Sequence, residues 1–236
     1  MIVEICVDSM QSALIAEKSG ANRIELCSAL ALGGLTPSWG LIEKAVKELS
    51  INIHVLIRPR GGDFTYSKSE IDLMIADIEM VKSLGVQGIV SGILHEDHTL
   101  DIENTIHLIK ACEGLPFTFH RAFDWIPNKE KALTQLDNLG VQRILTSGGC
   151  TKAIDALETL TTWNTNYNTT ILPGGGINSS NHQAFRAAGF EEIHLSATKV
   201  IDKGEVEIPM NASKYLVEDG YILCDHKIVS NICNES

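Results

Sequence analysis

The sequence lacks any apolar run long enough to cross a membrane, and basic residues are scarce in it. No stretch approaches the roughly 18 apolar residues that a spanning helix needs. The 236 residues carry 19 basic and 30 acidic side chains, a formal charge of −11, which argues against nucleic acids and membranes as partners. Residues 1–10 hold no basic region and resemble a strand, so we expect no secretory signal and a cytoplasmic location.

Two familiar motifs are also missing. None of the six cysteines is spaced as Cys-x-x-Cys, which argues against a zinc knuckle or a redox dithiol and favours reduced thiols over a disulfide framework. No G-x-G-x-x-G follows the first expected strand, which disfavours an open doubly wound sheet. The length and a hydrophobic content of 44% fit a folded α/β barrel, which typically has about 250 residues.

A glycine-led pattern occurs four times, and each copy ends in an isoleucine that enters a short apolar run. The copies are Gly20–Ile24, Gly85–Ile89, Gly140–Ile144 and Gly189–Ile193. Glycine is favoured where a helix ends, because the left-handed conformation costs little without a Cβ atom. Successive copies are 65, 55 and 49 residues apart, about the length of two strand–helix units.

The intervals between the copies contain the remaining elements. Further strands are expected at Val3–Val7, His54–Ile57, Phe117–His120 and Thr170–Leu172. Helices are expected at Met10–Ser19, Ser38–Leu49, Ser69–Leu84, Thr99–Cys112, Lys129–Leu139, Ala153–Thr161 and Asn181–Ala188, with Ser69 and Asp72 resembling a capping pair. Eight alternations predict an α/β fold, a (β/α)8 TIM-like barrel, with a single domain over residues 1–236. Residues from about 200 to 236 are expected to be irregular, apart from a β-like run at Tyr221–Cys224.

Alternation along the strands sends an unusually polar set of side chains toward the barrel axis. The set comprises Glu4, Cys6, Arg23, Glu25, Cys27, His54, Arg58, Thr118, His120, Arg143, His194 and Ser196. Barrel interiors are normally filled by Val, Ile and Leu, and buried charges are costly unless they pair or meet a ligand. Two interpretations follow, an ion-pair network that only holds the barrel together and a functional pocket, and the second is favoured.

Candidate site residues lie where strands end, at the rim that holds barrel active sites. Arg58, Arg60 and the glycines Gly174, Gly175 and Gly176 predict a site for a small anionic ligand, although the glycines also suit a tight turn. Glu25, His120 and His194 are candidate catalytic acids or bases, but each histidine could equally be a hydrogen-bonded interior residue.

Cys6 and Cys27 lie near the ends of neighbouring strands, where two thiolates could bind a soft ion such as Cu(I). A strand cysteine is also commonly a small buried hydrophobe, so both interpretations stay open at this point.

Seven blocks resemble the CutC family of copper homeostasis proteins, and together they span roughly residues 1–200. The blocks are Glu4–Ser9, Arg23–Ser28, Gly33–Ser38, Ile57–Phe64, Phe119–Asp124, Arg143–Gly149 and Pro173–Gly176. The resemblance implies a cytoplasmic TIM-like barrel, a homo-oligomer and a role in copper handling. It also implies that Cys6 and Cys27 are the metal ligands for copper (Cu+).

Two functional hypotheses follow. The first is a CutC-type copper homeostasis protein that binds Cu(I) in the cytoplasm. The second is a TIM-barrel enzyme acting on a small phosphorylated or carboxylated metabolite, in which Glu25 or His120 moves a proton and His194 or Arg23 stabilises developing charge. The residues alone leave open whether the protein is an enzyme.

Overall fold

Eight parallel strands form a barrel, as the alternation of strands and helices predicts. The computed structural model describes residues 1–204, 207–208 and 220–235. The barrel strands are β1 (Ile2–Val7), β2 (Arg23–Leu26), β3 (Asn52–Leu56), β4 (Gly88–Ser91), β5 (Phe117–Phe119), β6 (Arg143–Thr146), β7 (Thr170–Pro173) and β8 (Glu192–Leu195). They pair in the order β7-β6-β5-β4-β3-β2-β1-β8, and a parallel bridge between Gly174 and His194 nearly closes the ring.

Helices cover the outside of the barrel close to their predicted positions. They are α1 (Met10–Lys18), α2 (Trp39–Glu48), α3 (Lys68–Ser83), α4 (Ile102–Ala111), α5 (Lys129–Asn138), α6 (Leu157–Asn166) and α7 (His182–Ala187). Shorter 3-10 turns lie at Leu30–Leu32, Arg121–Trp125 and Ala153–Ala156. The predicted helix from Ala153 to Thr161 therefore begins as a 3-10 turn and continues as α6.

The four recurring glycines end helices, as expected. Gly20, Gly85, Gly140 and Gly189 have φ angles of 97°, 85°, 72° and 86°. Each donates its backbone N–H to the carbonyl three residues earlier, inside the last helical turn. The repeated pattern therefore marks four helix ends, each followed by a barrel strand.

The capping pair predicted for α3 was wrong by two residues. The Oγ of Ser67 accepts from the backbone N–H of Glu70, and the Glu70 carboxylate accepts from the Ser67 backbone N–H. This reciprocal pair is the capping box, so Ser69 lies within the helix. Both serines precede a carboxylate by three residues, and only the position of the first turn distinguishes them.

The buried apolar residues form two clusters, one between the sheet and the helices and one inside the barrel. Outward-facing residues such as Ile24 and Leu26 are fully buried against the helices and belong to the main core. A smaller cluster inside the barrel consists of Cys6, Cys27, Leu56 and Val90. The predicted inward orientation of the two cysteines is confirmed.

The C-terminal section contains more structure than predicted. Strands β9 (Thr198–Asp202) and β10 (Gly220–Cys224) pair antiparallel, which agrees with the β-like run expected at Tyr221–Cys224. An irregular tail was expected after it, but helix α8 spans His226–Asn234, with Asp225 capping its first turn. The rest of the section falls partly outside the described residues. None of the helices described is long and apolar enough to cross a membrane.

Candidate functional site

A cavity of about 290 Å³ opens at the carboxyl ends of the barrel strands, the usual location of a barrel active site. It is lined by Cys6, Glu25, Leu30, Gly33, Leu56, Arg58, Phe64, His120, Arg121, Leu145, Gly175, Gly176, Ile177, His194, Leu195 and Ser196. The lining therefore includes seven of the ten predicted site residues. Gly174, Arg60 and Cys27 are the exceptions.

Beneath the cavity, a network of buried charges crosses the barrel. Arg23 donates from Nε to Glu4 and from Nη2 to Glu192, and Arg143 Nε donates to Glu192 at 2.8 Å. Burial alone would raise the pKa of Glu4, but the charge of Arg23 and a hydrogen bond with His194 outweigh it, so that pKa lies well below its usual range. The expected ion-pair network therefore exists only in part: Glu192 is an acceptor in it, whereas Glu25 and Arg58, which were also expected there, form no ion pair within the described residues.

The network orients His194, which lines the cavity. Its Nδ1 lies 2.7 Å from Oε1 of Glu4. Burial opposes protonation of the ring, but the carboxylates of Glu25 and Glu4 outweigh this effect and raise the pKa of His194. A carboxylate bonded to one imidazole nitrogen fixes the ring and its tautomer, which leaves Nε2 for chemistry in the cavity.

Glu25 does not join the ion-pair network. Its Oε1 accepts a hydrogen bond from the Cys6 thiol at 3.4 Å, while Oε2 is buried and has no partner among the described residues. Burial, reinforced by the nearby charge of Glu4, raises the pKa of Glu25. An orphaned carboxyl oxygen facing a cavity is costly unless a ligand completes its hydrogen bonding.

The two predicted metal ligands lie side by side. The sulfur atoms of Cys6 and Cys27 are 3.8 Å apart, and Cys27 also donates to the carbonyl of Val7 at 3.5 Å. Only Cys6 lines the cavity, while Cys27 is fully buried. The hydrogen bond with Cys27, together with burial, raises the pKa of Cys6 well above its usual value, and the charge of Glu25 adds to this rise.

Cys6, Glu25 and His194 form a group of potential metal ligands in the cavity. One ligand atom from each lies within 4.8 Å of the others. The group combines a soft sulfur with an imidazole nitrogen and a carboxylate oxygen. Such a mixed set can hold a metal ion or bring an acid, a base and a thiol to one substrate.

Arg58 and His120 form the other side of the cavity, with Phe64 between them. The Arg58 guanidinium donates to three loop carbonyls and lies 4.8 Å from the centre of the Phe64 ring, and the His120 ring is also 4.8 Å from it. Within the described part of the chain, Arg58 Nε and His120 Nε2 are buried without a partner. Burial, with a contribution from Arg58, lowers the pKa of His120 to about 3, so the ring is neutral at pH 7.

Two of the predicted anion-binding residues, Arg60 and Gly174, do not line the cavity. Arg60 bonds to Glu70 and to the carbonyl of Thr65, 2.6 Å from each, and does not line the cavity. A Cβ on Gly174 would lie 2.5 Å from a side-chain carbon of Leu145, so close packing accounts for that glycine. Arg58 therefore lines the cavity, whereas Arg60, two residues later, bonds to groups outside it.

Arg121 lines the cavity but was not among the predicted binding residues. The sequence signal was present, because Arg121 and Asp124 fall in the block that follows β5. Asp124 accepts from Arg121 Nε at 2.8 Å and also from the backbone N–H groups of Ser147 and Gly149. It therefore ties the loop after β5 to the loop after β6, and places the guanidinium at the cavity mouth.

Residues 1–199 match the profile of the CutC family. This chain belongs to the CutC family. It is 43% identical to the human "Copper homeostasis protein cutC homolog" over 206 residues, which cover 86% of this chain and 76% of the human protein. It is also 43% identical to a family protein CutC from Enterobacter sp. (strain 638), with 84% of this chain and 81% of that protein covered.

Solved structures agree with this membership. A CutC crystal structure from Streptococcus agalactiae superposes with a TM-score of 0.78 at 34% identity, covering 83% of this chain and 98% of that one. Thiamine phosphate pyrophosphorylase from Pyrococcus furiosus superposes with a TM-score of 0.59 at 14% identity, covering 99% and 96% of the two chains, and so shares the fold alone. The resemblance to CutC and the barrel fold are thus confirmed, while β10 and α8 lie beyond the matched region.

Proposed function

We propose that this CutC-family protein binds Cu(I) as its cargo through Cys6 and Cys27 and acts in copper homeostasis in the cytoplasm. The observation that carries the proposal is the pair of thiols 3.8 Å apart, one of which faces a cavity. The copper homeostasis names of CutC relatives support the same assignment. A homo-oligomer, which the resemblance also implies, belongs to the proposal and can be tested by light scattering after gel filtration.

The donor set fits a soft ion. Thiolates favour Cu(I), and metal–thiolate bonds of about 2.3 Å, the value for zinc, would allow two sulfurs 3.8 Å apart to share one ion. Cu(I) would reach Cys6 first, because Cys27 does not line the cavity. Glu25 and His194 are close enough to Cys6 to assist as further ligands. Both thiols must lose a proton on binding, so the affinity depends on pH.

An anaerobic competition titration with a Cu(I) chelator tests this proposal. The wild-type protein should bind one tight equivalent, and Cys6→Ser or Cys27→Ser should lose it. Cys150→Ser is the matched control, because Cys150 is exposed and would bind copper only adventitiously. Equal binding by all four proteins, or loss of the equivalent in Cys150→Ser alone, contradicts the proposal.

A second candidate is acid–base catalysis on a small phosphorylated or carboxylated metabolite. It is favoured by the convergence of Glu25 and His194, the latter held by Glu4 at 2.7 Å, on one cavity. Copper binding alone does not require this histidine–carboxylate pair. Glu25→Gln should abolish any turnover found in a metabolite screen, while Cys6 and Cys27 still bind Cu(I). Unchanged turnover in this variant would contradict the second candidate.

A further inference from the structure

Two buried hydrogen-bond donors, Arg58 Nε and His120 Nε2, have no partner within the described residues, and both side chains line the cavity. Arg58 and His120 are 5% and 6% exposed, so water does not easily satisfy their donors. A buried donor without a partner is costly, and two beside one cavity indicate acceptor atoms of a ligand. The side chain of Arg121, which is 44% exposed, also lines the cavity and offers Nη1 as a third donor.

The hydrogen bonding of His120 determines what it can offer. Its Nδ1 accepts from the backbone N–H of Ala122 at 3.3 Å, so the proton of the neutral ring is on Nε2. His120 is therefore a donor toward the cavity. The ring is held in this orientation by Phe64 on one side and by Gly92, where a Cβ would lie 2.7 Å from Nδ1.

The guanidinium of Arg121 is also held in place. Nε donates to Asp124 at 2.8 Å and Nη2 donates to Ser147 Oγ at 2.8 Å, while Nη1 makes no bond within residues 1–204, 207–208 and 220–235. A Cβ on Gly175 would lie 3.3 Å from Nη1, and φ is 106° there, so both space and backbone conformation favour glycine. The free nitrogen thus lies beside the glycine loop at the cavity mouth.

We infer that the cavity binds a small organic anion whose carboxylate or phosphate oxygens accept hydrogen bonds from Arg58, His120 and Arg121. The volume of about 290 Å³ is close to the lower limit of about 300 Å³ for small-molecule sites, which limits the ligand to metabolite size. The remainder of the ligand would extend toward the orphaned Oε2 of Glu25, where a hydroxyl group could bond. This inference does not depend on copper binding, and it supplies the substrate-holding groups that the second candidate function requires.

The test is calorimetric titration of the reduced, metal-free protein with inorganic phosphate and, separately, with malonate. At least one probe should bind saturably at one site, and the probe that binds identifies the headgroup. Arg121→Ala should weaken that binding about tenfold or more, because a charge-assisted bond is lost. Arg121→Lys should recover part of the affinity.

Arg60→Ala is the matched control. Arg60 and Arg121 are similarly exposed, at 39% and 44% of their side chains, and each bonds the aspartate three residues later. The control should bind the probe as the wild type does. The inference would be overturned if neither probe binds saturably, or if Arg60→Ala and Arg121→Ala weaken the binding equally. Anion binding without any turnover would retain it and count only against the enzyme hypothesis.

Discussion

Replacing Arg23 with methionine should expose the cost of the charge network beneath the cavity. Arg23 is 2% exposed and bonds both Glu4 and Glu192, which are themselves buried. Methionine fills a similar volume but leaves two carboxylates without their common cation. Removing one partner of a buried ion pair typically costs about 3–5 kcal/mol. We expect a loss near the lower value, because His194 still bonds Glu4 and Arg143 still bonds Glu192.

The pH dependence of this loss gives a sharper test. In the wild type the pKa of Glu4 is depressed, so its stabilising contribution is present above about pH 4.3, the unfolded value, and is lost as the pH falls toward the folded pKa. Without Arg23, burial is the largest remaining influence on Glu4, so we expect the folded pKa of Glu4 to rise above the unfolded value. The penalty in the variant should therefore be largest at neutral pH and should shrink as the pH falls through the raised pKa.

Urea unfolding at about pH 7.5 and about pH 5 measures both quantities. Arg143→Met is the control, because Arg143 makes one bond to Glu192 and is partly exposed, so its loss should be smaller. Arg23→Met combined with Glu4→Gln should recover part of the stability, since one uncompensated charge is gone. If Arg23→Met loses less than about 1 kcal/mol of unfolding free energy, or if the loss does not change with pH, the idea that Arg23 compensates the charge of the buried carboxylates is refuted.

Three further outcomes are expected. Gly148→Ala should lower the free energy of unfolding by about 1–3 kcal/mol, because φ is 73° at Gly148 and a Cβ there would lie 2.4 Å from the nearest side-chain carbon. Gly40→Ala is the control, because Gly40 lies in a helix with open space around it, and it should be neutral or stabilising. Thermal denaturation measures both variants. Ser67→Ala should cost about 1 kcal/mol by loss of the capping box, while Ser69→Ala should cost almost nothing; equal effects in urea unfolding would contradict the cap assignment. If Cu(I) binds as proposed, its apparent affinity should rise between about pH 6 and pH 8. The hydrogen bond to the neighbouring thiol and burial raise the pKa of Cys6, and the Cys6 thiol must lose its proton to bind the metal. A competition titration that gives the same affinity at every pH would argue against thiolate binding.

Local signals predicted the barrel because each depends on only a few adjacent residues. The glycines that end helices, such as Gly20 and Gly85, need a positive φ wherever the chain goes next. Strand alternation likewise placed Glu4 and Cys6 inside before any partner was known, since successive side chains point to opposite faces. The C-terminal helix α8 lies outside the eight strand–helix alternations, so the barrel pattern did not predict it.

The sequence by itself determined the family, through seven blocks that resemble CutC. It also determined the order of strands and helices and which side chains face the barrel axis, because these follow from periodicity and local backbone preference. Only the tertiary structure decided which charges meet. Arg23 pairs with Glu4 and Glu192, and Arg121 rather than Arg60 reaches the cavity. Arg58 Nε has no hydrogen-bond partner in the part of the chain that the structure describes. Contacts between residues distant in the chain depend on register and loop path. Those are set by the packing of the whole barrel, and a one-dimensional pattern does not contain them.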